Sequence, residues 1–162
     1  KVTWRECLKY RFYELVVAVF AAAAILPIFE NLQQQRRLGV AASTWFEIND
    51  IYIPEMRVGD NPVMTYDRTI KTEFRGFWVV EIQRRDVSGN FVLECSGSGI
   101  NDYEPTDYIP DNKVRWDWFI GEACDNILPG EYRVRASWIL RKPEWPDKQT
   151  VAYSNIFKVL PR

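Results

Sequence analysis

The chain is divided into two parts by one stretch, Glu14-Leu-Val-Val-Ala-Val-Phe-Ala-Ala-Ala-Ala-Ile-Leu-Pro-Ile-Phe29. From Leu15 to Phe29 there is no charged or hydrogen-bonding side chain. A helix needs about 20 residues to cross a hydrocarbon core of about 30 Å. The aromatic and basic residues 10–13 extend the stretch to that length, because such side chains suit the headgroup region. The stretch therefore predicts a transmembrane helix.

Three other interpretations of this stretch compete with a membrane span. A secretory signal peptide has the same basic start and apolar middle, but the usual cleavage site between small residues is missing. A buried core helix that is apolar on every face needs a larger protein around it. An amphipathic surface helix has a polar stripe, and residues 15–29 have none. A membrane span is favoured over all three.

The rest of the chain is organised around this span. Residues 1–13 are predicted to form a basic and aromatic helix start, residues 14–29 the transmembrane helix, and residues 30–39 a polar helical stalk. Residues 40–162 are predicted to form a soluble β domain. A capping box at Thr3-Trp-Arg-Glu6 and a helix-ending Gly39 predict one continuous helix about 50 Å long.

The charges around the span predict its orientation. Four basic residues and one acidic residue precede it, namely Lys1, Arg5, Lys9, Arg11 and Glu6. Because basic residues are enriched on the cytoplasmic side, the N-terminus is predicted to be cytoplasmic and the C-terminal domain extracytoplasmic. The predicted location is a cell inner membrane or a virion membrane, in contact with membrane lipid.

Beyond Gly39 the apolar residues alternate with a period of two, which is typical of strands. Seven short strands are predicted, with turns about every 10 residues. Residues 97–112 are predicted to form a polar loop that contains proline. The predicted strands run through 44–53, 63–71, 74–84, 91–95, 114–120, 131–141 and 151–160, with Asp86–Asn90 as a hairpin connection.

The segment Leu128-Pro-Gly-Glu-Tyr-Arg-Val-Arg-Ala-Ser-Trp138 resembles the penultimate strand of immunoglobulin-like and fibronectin-like modules. The resemblance implies a seven-stranded immunoglobulin-like β-sandwich in which Tyr132 forms a corner with the preceding turn. Trp78 likewise resembles the core tryptophan of that family. The family's cysteine pair is absent, since Thr69 and Val134 are not cysteines. A resemblance of this kind concerns the fold and carries no function.

The order of a basic helix, one span and an aromatic-rich sandwich is also loosely similar to small membrane-anchored proteins encoded by bacteriophages. That resemblance implies a place in a membrane or virion assembly.

The three cysteines differ in their predicted surroundings. Cys7 lies in the predicted cytoplasmic segment and is predicted to be a free thiol, with juxtamembrane acylation as the alternative. Cys95 and Cys124 lie in the predicted extracytoplasmic domain, where a pair oxidises if its geometry allows. A Cys95–Cys124 disulfide is therefore predicted, with two free thiols as the alternative.

Composition argues against several chemistries. The chain has no histidine, which removes the commonest general base and metal ligand, and its net charge of −1 gives no basic excess for nucleic acid. The acidic residues of 101–107 lack the spacing of a calcium-binding loop. No nucleophile–base pair or phosphate loop is recognisable. The prediction is no enzyme activity, no cofactor and no metal.

Two function classes stay open, of which the first is the predicted function and the second is the alternative. The first is a structural or interaction subunit that docks on other protein subunits of a larger assembly. Its candidate contacts are the tryptophans near loops, with Trp145 foremost although it could pack locally, and small residues on the span that allow close helix packing. The second is a ligand- or receptor-binding module that uses the 97–112 loop. The candidate residues are Trp116, Trp118 and Trp145 outside the membrane, and Ala18, Ala21, Ala22, Ala23 and Ala24 within it.

Overall fold

Two compact units make up the chain in this computed structural model. One reaches from the N-terminus to Val40 and the other from Ala41 to Arg162. The structure describes residues 4–120, 124 and 127–162. The first unit is helical, and the second is mainly β and is called the β domain below.

The first unit is the helix α1 (Trp4–Gly39), which agrees with the predicted continuous helix. Its 36 residues correspond to about 54 Å at 1.5 Å per residue. Pro27 lies inside the helix, where its missing N–H costs one backbone hydrogen bond without ending the helix. The part from Glu14 to Gly39 is long and apolar enough to span a membrane and is not buried. The predicted cap Thr3 lies outside the described residues.

The β domain begins with a 3-10 turn (Ala42–Thr44) and is built from two sheets. One sheet has the order β1-β3-β6 and the other the order β2-β9-β7-β4-β5, with β8 also paired to β7. The elements are β1 (Phe46–Tyr52), β2 (Met56–Arg57), β3 (Val63–Ile70), β4 (Phe74–Arg85), β5 (Phe91–Tyr103), β6 (Thr106–Arg115), α2 (Trp116–Ile120), β7 (Gly130–Arg141), β8 (Lys148–Tyr153) and β9 (Phe157–Leu160).

Strand β7 is the centre of the larger sheet. It pairs antiparallel with β4 along one edge, while β8 and β9 share its other edge. Every second side chain is buried, as the alternation predicts, because a strand presents successive side chains to opposite faces. The Tyr132 hydroxyl donates a 2.7 Å hydrogen bond to the carbonyl of Leu128, so the predicted contact with the preceding turn is confirmed. The buried residues of β7 are Tyr132, Val134, Ala136, Trp138 and Leu140.

The two sheets are curled towards each other where β1 meets the link between β8 and β9. Ile51 forms a parallel bridge with Ser154. The Asn155 side chain accepts from the Ile53 amide at 2.8 Å and donates to the Ile53 carbonyl at 2.9 Å. Strands β5 and β6 are left at sheet edges, and α2 contacts both of them. The larger sheet is also mixed, because β2 runs parallel to β9.

The observed architecture differs from the seven predicted strands. Nine strands are described, and a seven-stranded immunoglobulin-like sandwich is not confirmed. The predicted last strand, 151–160, is two strands that break at Ser154 and Asn155. The side chains of these two residues form hydrogen bonds with the backbone of Val134 in β7 and of Ile53, which follows β1.

The predicted loop at 97–112 is wrong, because β5 continues to Tyr103 and β6 begins at Thr106. Ser98, Asn101 and Asp102 of β5 are exposed, since one face of an antiparallel sheet can be solvated. Pro110 lies in β6 between the pairs Tyr66–Asn112 and Arg68–Ile109, where the register shifts. A proline is tolerated at such an irregularity of an edge strand because it has no N–H for a ladder.

The predicted strand at 114–120 is also wrong, because residues from Trp116 onwards form α2. Trp116 and Ile120 are buried while Trp118 is 62% exposed, and burial at i and i+4 is the helical period. The first amides of α2 donate to the carbonyl of Pro62 and to Oδ1 of Asn61. These contacts satisfy N–H groups that the start of a helix leaves unpaired.

The contact between Asn155 and Ile53, which links the two sheets, can be tested by substitution. Asn155→Ala removes both hydrogen bonds to Ile53, which is fully buried. We expect the free energy of unfolding to fall by about 1–3 kcal/mol, because a buried amide loses its acceptor. Urea denaturation of the full chain in mild detergent, followed by tryptophan fluorescence, measures this change. Asn49→Ala, at an exposed position of β1, is the control and should change stability by less than about 0.5 kcal/mol. Equal effects of the two substitutions would contradict the role of Asn155.

Candidate functional site

A cavity of about 520 Å³ lies between the two sheets of the β domain. Its volume falls within the range of about 300–1,000 Å³ that is usual for small-molecule sites. Both sheets and α2 contribute to its wall. The lining residues are Ile48, Ile51, Met64, Tyr66, Arg68, Trp78, Val80, Asn101, Tyr103, Asn112, Lys113, Val114, Arg115, Trp118, Ala136 and Trp138.

Two buried N–H groups of this lining have no hydrogen-bond partner within the part of the chain that the structure describes. They are Nε of Arg68, on β3, and Nε1 of Trp78, on β4. A buried donor without a partner costs about 1–3 kcal/mol, and more when the group is charged. Native proteins therefore leave few of them. Both unpaired donors belong to residues that line the same cavity.

The indole of Trp78 is held by a glycine on the neighbouring strand. Gly99 of β5 is opposite Trp78. A Cβ at Gly99 would lie closer than 3.0 Å to three atoms of that indole, Cζ2, Cε2 and Nε1. Glycine is thus required for the ring to approach the backbone of β5 so closely.

A second indole stacks on the first. Trp118 of α2 lies with its ring centroid 5.9 Å from that of Trp78 and its plane inclined by 24°. Although it lines the cavity, Trp118 is 62% exposed. The pair therefore forms an aromatic wall that reaches from the cavity to solvent.

The charges on the described lining residues have one sign. Arg68, Lys113 and Arg115 line the cavity, and no aspartate or glutamate is among the described residues that do. Arg115 forms an ion pair with Asp117, and both side chains are more than half exposed. An exposed pair of this kind contributes little. Arg68 is the only one of the three cations that is partly buried.

Two tyrosine hydroxyls add neutral polar groups to the lining. Burial raises the pKa of Tyr66 above its ordinary value of 10.0, against opposing effects of Arg68 and of a hydrogen bond with Asn112. Burial likewise raises the pKa of Tyr103, against a hydrogen bond with Trp138. Both hydroxyls are therefore protonated at neutral pH, and the described lining contains no anionic group.

The three candidate tryptophans have different surroundings. Trp116 is 7% exposed and packs edge-on against Phe157 with a centroid distance of 6.0 Å. Trp145 is partly buried and packs edge-on against Trp45 at 5.5 Å. Trp118 alone of the three lines the cavity. Their roles in partner contact stay predictions.

The predicted disulfide between Cys95 and Cys124 is confirmed, with a Cα–Cα distance of 5.7 Å. Cys95 belongs to β5, and Cys124 follows α2 in the chain. The bond therefore links the chain just after α2 to β5. Since α2 carries Trp118, this link lies close in sequence to a cavity residue.

The predicted binding loop contributes to the cavity, although as strands. Asn101 and Tyr103 of β5 and Asn112 of β6 line it. Among the described residues there is no group of three or more histidine, cysteine, aspartate or glutamate side chains that could hold a metal ion.

The alanines of the span lie in α1. Ala18, Ala22 and Ala23 are exposed, and Ala21 and Ala24 belong to the same helix. Close packing of another helix on these alanines stays a prediction.

Sequence reasoning missed Arg68, Trp78 and Gly99 as site residues. Arg68 lies in a strand whose polar side chains are predicted to face solvent, and the residues next to it in the sequence do not indicate burial. The glycines at 97 and 99 were a usable signal, since a glycine inside a strand often marks a close approach of another group.

Comparisons with known proteins give little further information. No protein-family model and no curated protein matches the chain. A similar solved structure is that of a family 123 glycoside hydrolase from Clostridium perfringens, which was analysed for glycolipid glycan hydrolysis. The alignment has 10% sequence identity and a TM-score of 0.37, and it covers 72% of this chain but only 27% of the hydrolase.

The prediction that the chain is not an enzyme is contradicted by this comparison and is not retained, because the similar structure is a hydrolase. A TM-score of 0.37 is too low for the likeness to assign a fold or an activity to this chain.

Proposed function

We propose that this chain is a single-pass membrane-anchored binding protein whose β domain holds a small ligand in the cavity between its sheets. The observation that carries the proposal is the pair of buried, unpartnered N–H donors on Arg68 and Trp78. Their cost is offset when a bound molecule supplies hydrogen-bond acceptors. This is the ligand-binding alternative of the sequence analysis, with strands in place of the expected loop.

The anchor in this proposal is α1, with its N-terminus in the cytoplasm and the β domain outside it. Three observations support it. The apolar part of α1 is exposed, basic residues dominate before it, and the Cys95–Cys124 bond suits an oxidising compartment. The membrane is proposed to be a cell inner membrane or the membrane of a virion.

Docking on other protein subunits is the second candidate function. It is favoured by the 62% exposure of Trp118, since tryptophan is enriched at interfaces. A bacteriophage assembly would fit this candidate. Purification from gently solubilised membranes tests it: co-migration with other proteins is expected, and a monomer without partners would contradict it.

We also propose that the β domain is a curled variant of the immunoglobulin-like sandwich. The hydrogen bond from Tyr132 to Leu128 supports this classification. The parallel pairing of β2 with β9 and the nine strands are departures from the family pattern.

The ligand-binding proposal is tested by filling the cavity. Ala136 is buried and lines it, so a leucine there occupies cavity volume. The full chain, labelled with fluorotryptophan and reconstituted in nanodiscs, is screened by fluorine NMR against a library of neutral and charged fragments. Among the resonances of the seven tryptophans, those of Trp78 and Trp118 are assigned with Trp78→Phe and Trp118→Phe.

We expect fragments to shift the resonance of Trp118 in the wild type and to leave it unchanged in Ala136→Leu. Ala41→Leu, at an exposed position outside the cavity, is the matched control and should respond like the wild type. No response from any fragment, or a response that survives in Ala136→Leu, would contradict the proposal.

A further inference from the structure

We infer that the cavity binds a small organic monoacid, whose carboxylate accepts hydrogen bonds from Arg68 and Trp78 and whose ring lies against Trp118. This inference rests on the proposed ligand-binding function and names the chemical class of the ligand.

The donors require a hydrogen-bond acceptor. Nε of Arg68 and Nε1 of Trp78 can only donate. A neutral carbonyl has one oxygen with two lone pairs, whereas a carboxylate has two oxygens and about four lone-pair sites. Guanidinium–carboxylate hydrogen bonds are also about twice as strong as neutral ones. A carboxylate therefore has acceptor sites for both unpartnered groups and matches the positive charge of Arg68.

The charge of the lining limits the ligand to one negative charge. Arg68 is the one partly buried cation of the described lining, and Lys113 and Arg115 are exposed. A monoanion balances the charge of Arg68. A dianion such as phosphate would bring a second charge into the cavity, and a buried charge without a partner is strongly unfavourable.

The aromatic wall selects a flat ligand body. The stacked indoles of Trp78 and Trp118 offer an apolar face that continues from the cavity to solvent. Aromatic rings favour offset-stacked or edge-on partners. The flat face could belong to an aromatic acid or to the ring of a sugar acid, and both combine one carboxylate with one ring.

Two pairs of probes separate the charge from the ring. The first pair is indole-3-acetate and the uncharged indole-3-acetamide, and the second is glucuronate and glucose. Each is titrated at neutral pH into the fluorotryptophan-labelled full chain in nanodiscs, with the resonance of Trp118 as readout. We expect at least one acid to bind at least about tenfold more tightly than its neutral partner. The pair that shows this difference identifies the source of the ring.

The variants assign the carboxylate to its partners. Arg68→Gln keeps a polar side chain but removes the charge, so we expect the preference for the acid to fall to within about threefold. Trp78→Phe keeps a ring and removes the N–H, and we expect about a three- to tenfold loss for the acid. Arg141→Gln removes an exposed arginine outside the cavity and should leave the preference unchanged.

The inference is overturned if each neutral probe binds as tightly as its acid, or if none of the four probes binds. In either case the ligand-binding function is judged separately by the fragment screen, in which neutral fragments alone can sustain it. A preference for the acid that survives in Arg68→Gln would also overturn the assignment. The comparison of acid and neutral probe on the wild-type chain needs no variant, so a folding defect in Arg68→Gln leaves the test decisive.

Discussion

Replacing Cys124 by alanine is expected to lower the free energy of unfolding of the full chain by about 3–4 kcal/mol. The bond to Cys95 closes a loop with a sequence separation of 29 residues, and a cross-link of that length removes chain entropy of this size from the unfolded state. Urea denaturation in mild detergent, followed by tryptophan fluorescence, measures the change.

The same bond predicts a pattern among the cysteine variants. Cys95→Ala and the double variant should lose the same stability as Cys124→Ala, because one bond is lost in every case. Cys7→Ala is the control and should be close to wild type, since Cys7 lies in α1. Additive losses in the double variant, or a wild type that resists urea equally before and after reduction, would contradict the account.

A charge in the apolar part of α1 is expected to impair membrane insertion. Ala22 is exposed and lies within the segment of spanning length. Ala22→Arg should cost about 2.5–3.5 kcal/mol of apparent insertion free energy, because arginine at the centre of a span is disfavoured by that amount. The inserted fraction in a glycosylation-reporter assay measures it.

The control for insertion is Gln34→Arg. This residue follows the apolar run of residues 15–29 in the same helix and has polar neighbours, so an added charge there lies outside the proposed span. Its inserted fraction should match that of the wild type. A chain whose inserted fraction is the same with Ala22→Arg as without it would show that α1 is not a span.

The helix and the central strands could be predicted from the sequence because their patterns are local. The apolar run of 15–29 and the stop at Gly39 depend only on neighbouring residues, and α1 ends as predicted. The alternation of β7 follows from burial on one face, and its buried residues are those predicted. In these segments local preference and tertiary packing agree.

The remaining elements depend on partners that are distant in the chain. Trp116 and Trp118 alternate with polar residues like a strand, but α2 forms because Pro62 and Asn61 accept hydrogen bonds from its first amides. The sequence of 97–112 is typical of a loop, but residues up to Tyr103 form a strand because they pair with β4 through backbone hydrogen bonds. In these segments the tertiary contacts determine the secondary structure, and the local sequence pattern does not.

The cavity could not be predicted for a related reason. Arg68 and Trp78 belong to strands of different sheets, and only the packing of the two sheets brings both to the same cavity. The sequence signal for Trp78 was Gly99, whose missing side chain makes room for the indole. For Arg68 no comparable local signal exists, because its burial depends on the whole β domain.

The central claim is that one membrane-anchored chain carries one acid-binding cavity. Native mass spectrometry tests this claim most directly. The full chain is incubated in nanodiscs with each acidic probe and is then released for the measurement. We expect one bound acid per chain for the wild type and for Ala41→Leu, and no bound acid for Ala136→Leu. No bound acid on the wild type, or the same number of bound acids on Ala136→Leu, would contradict it.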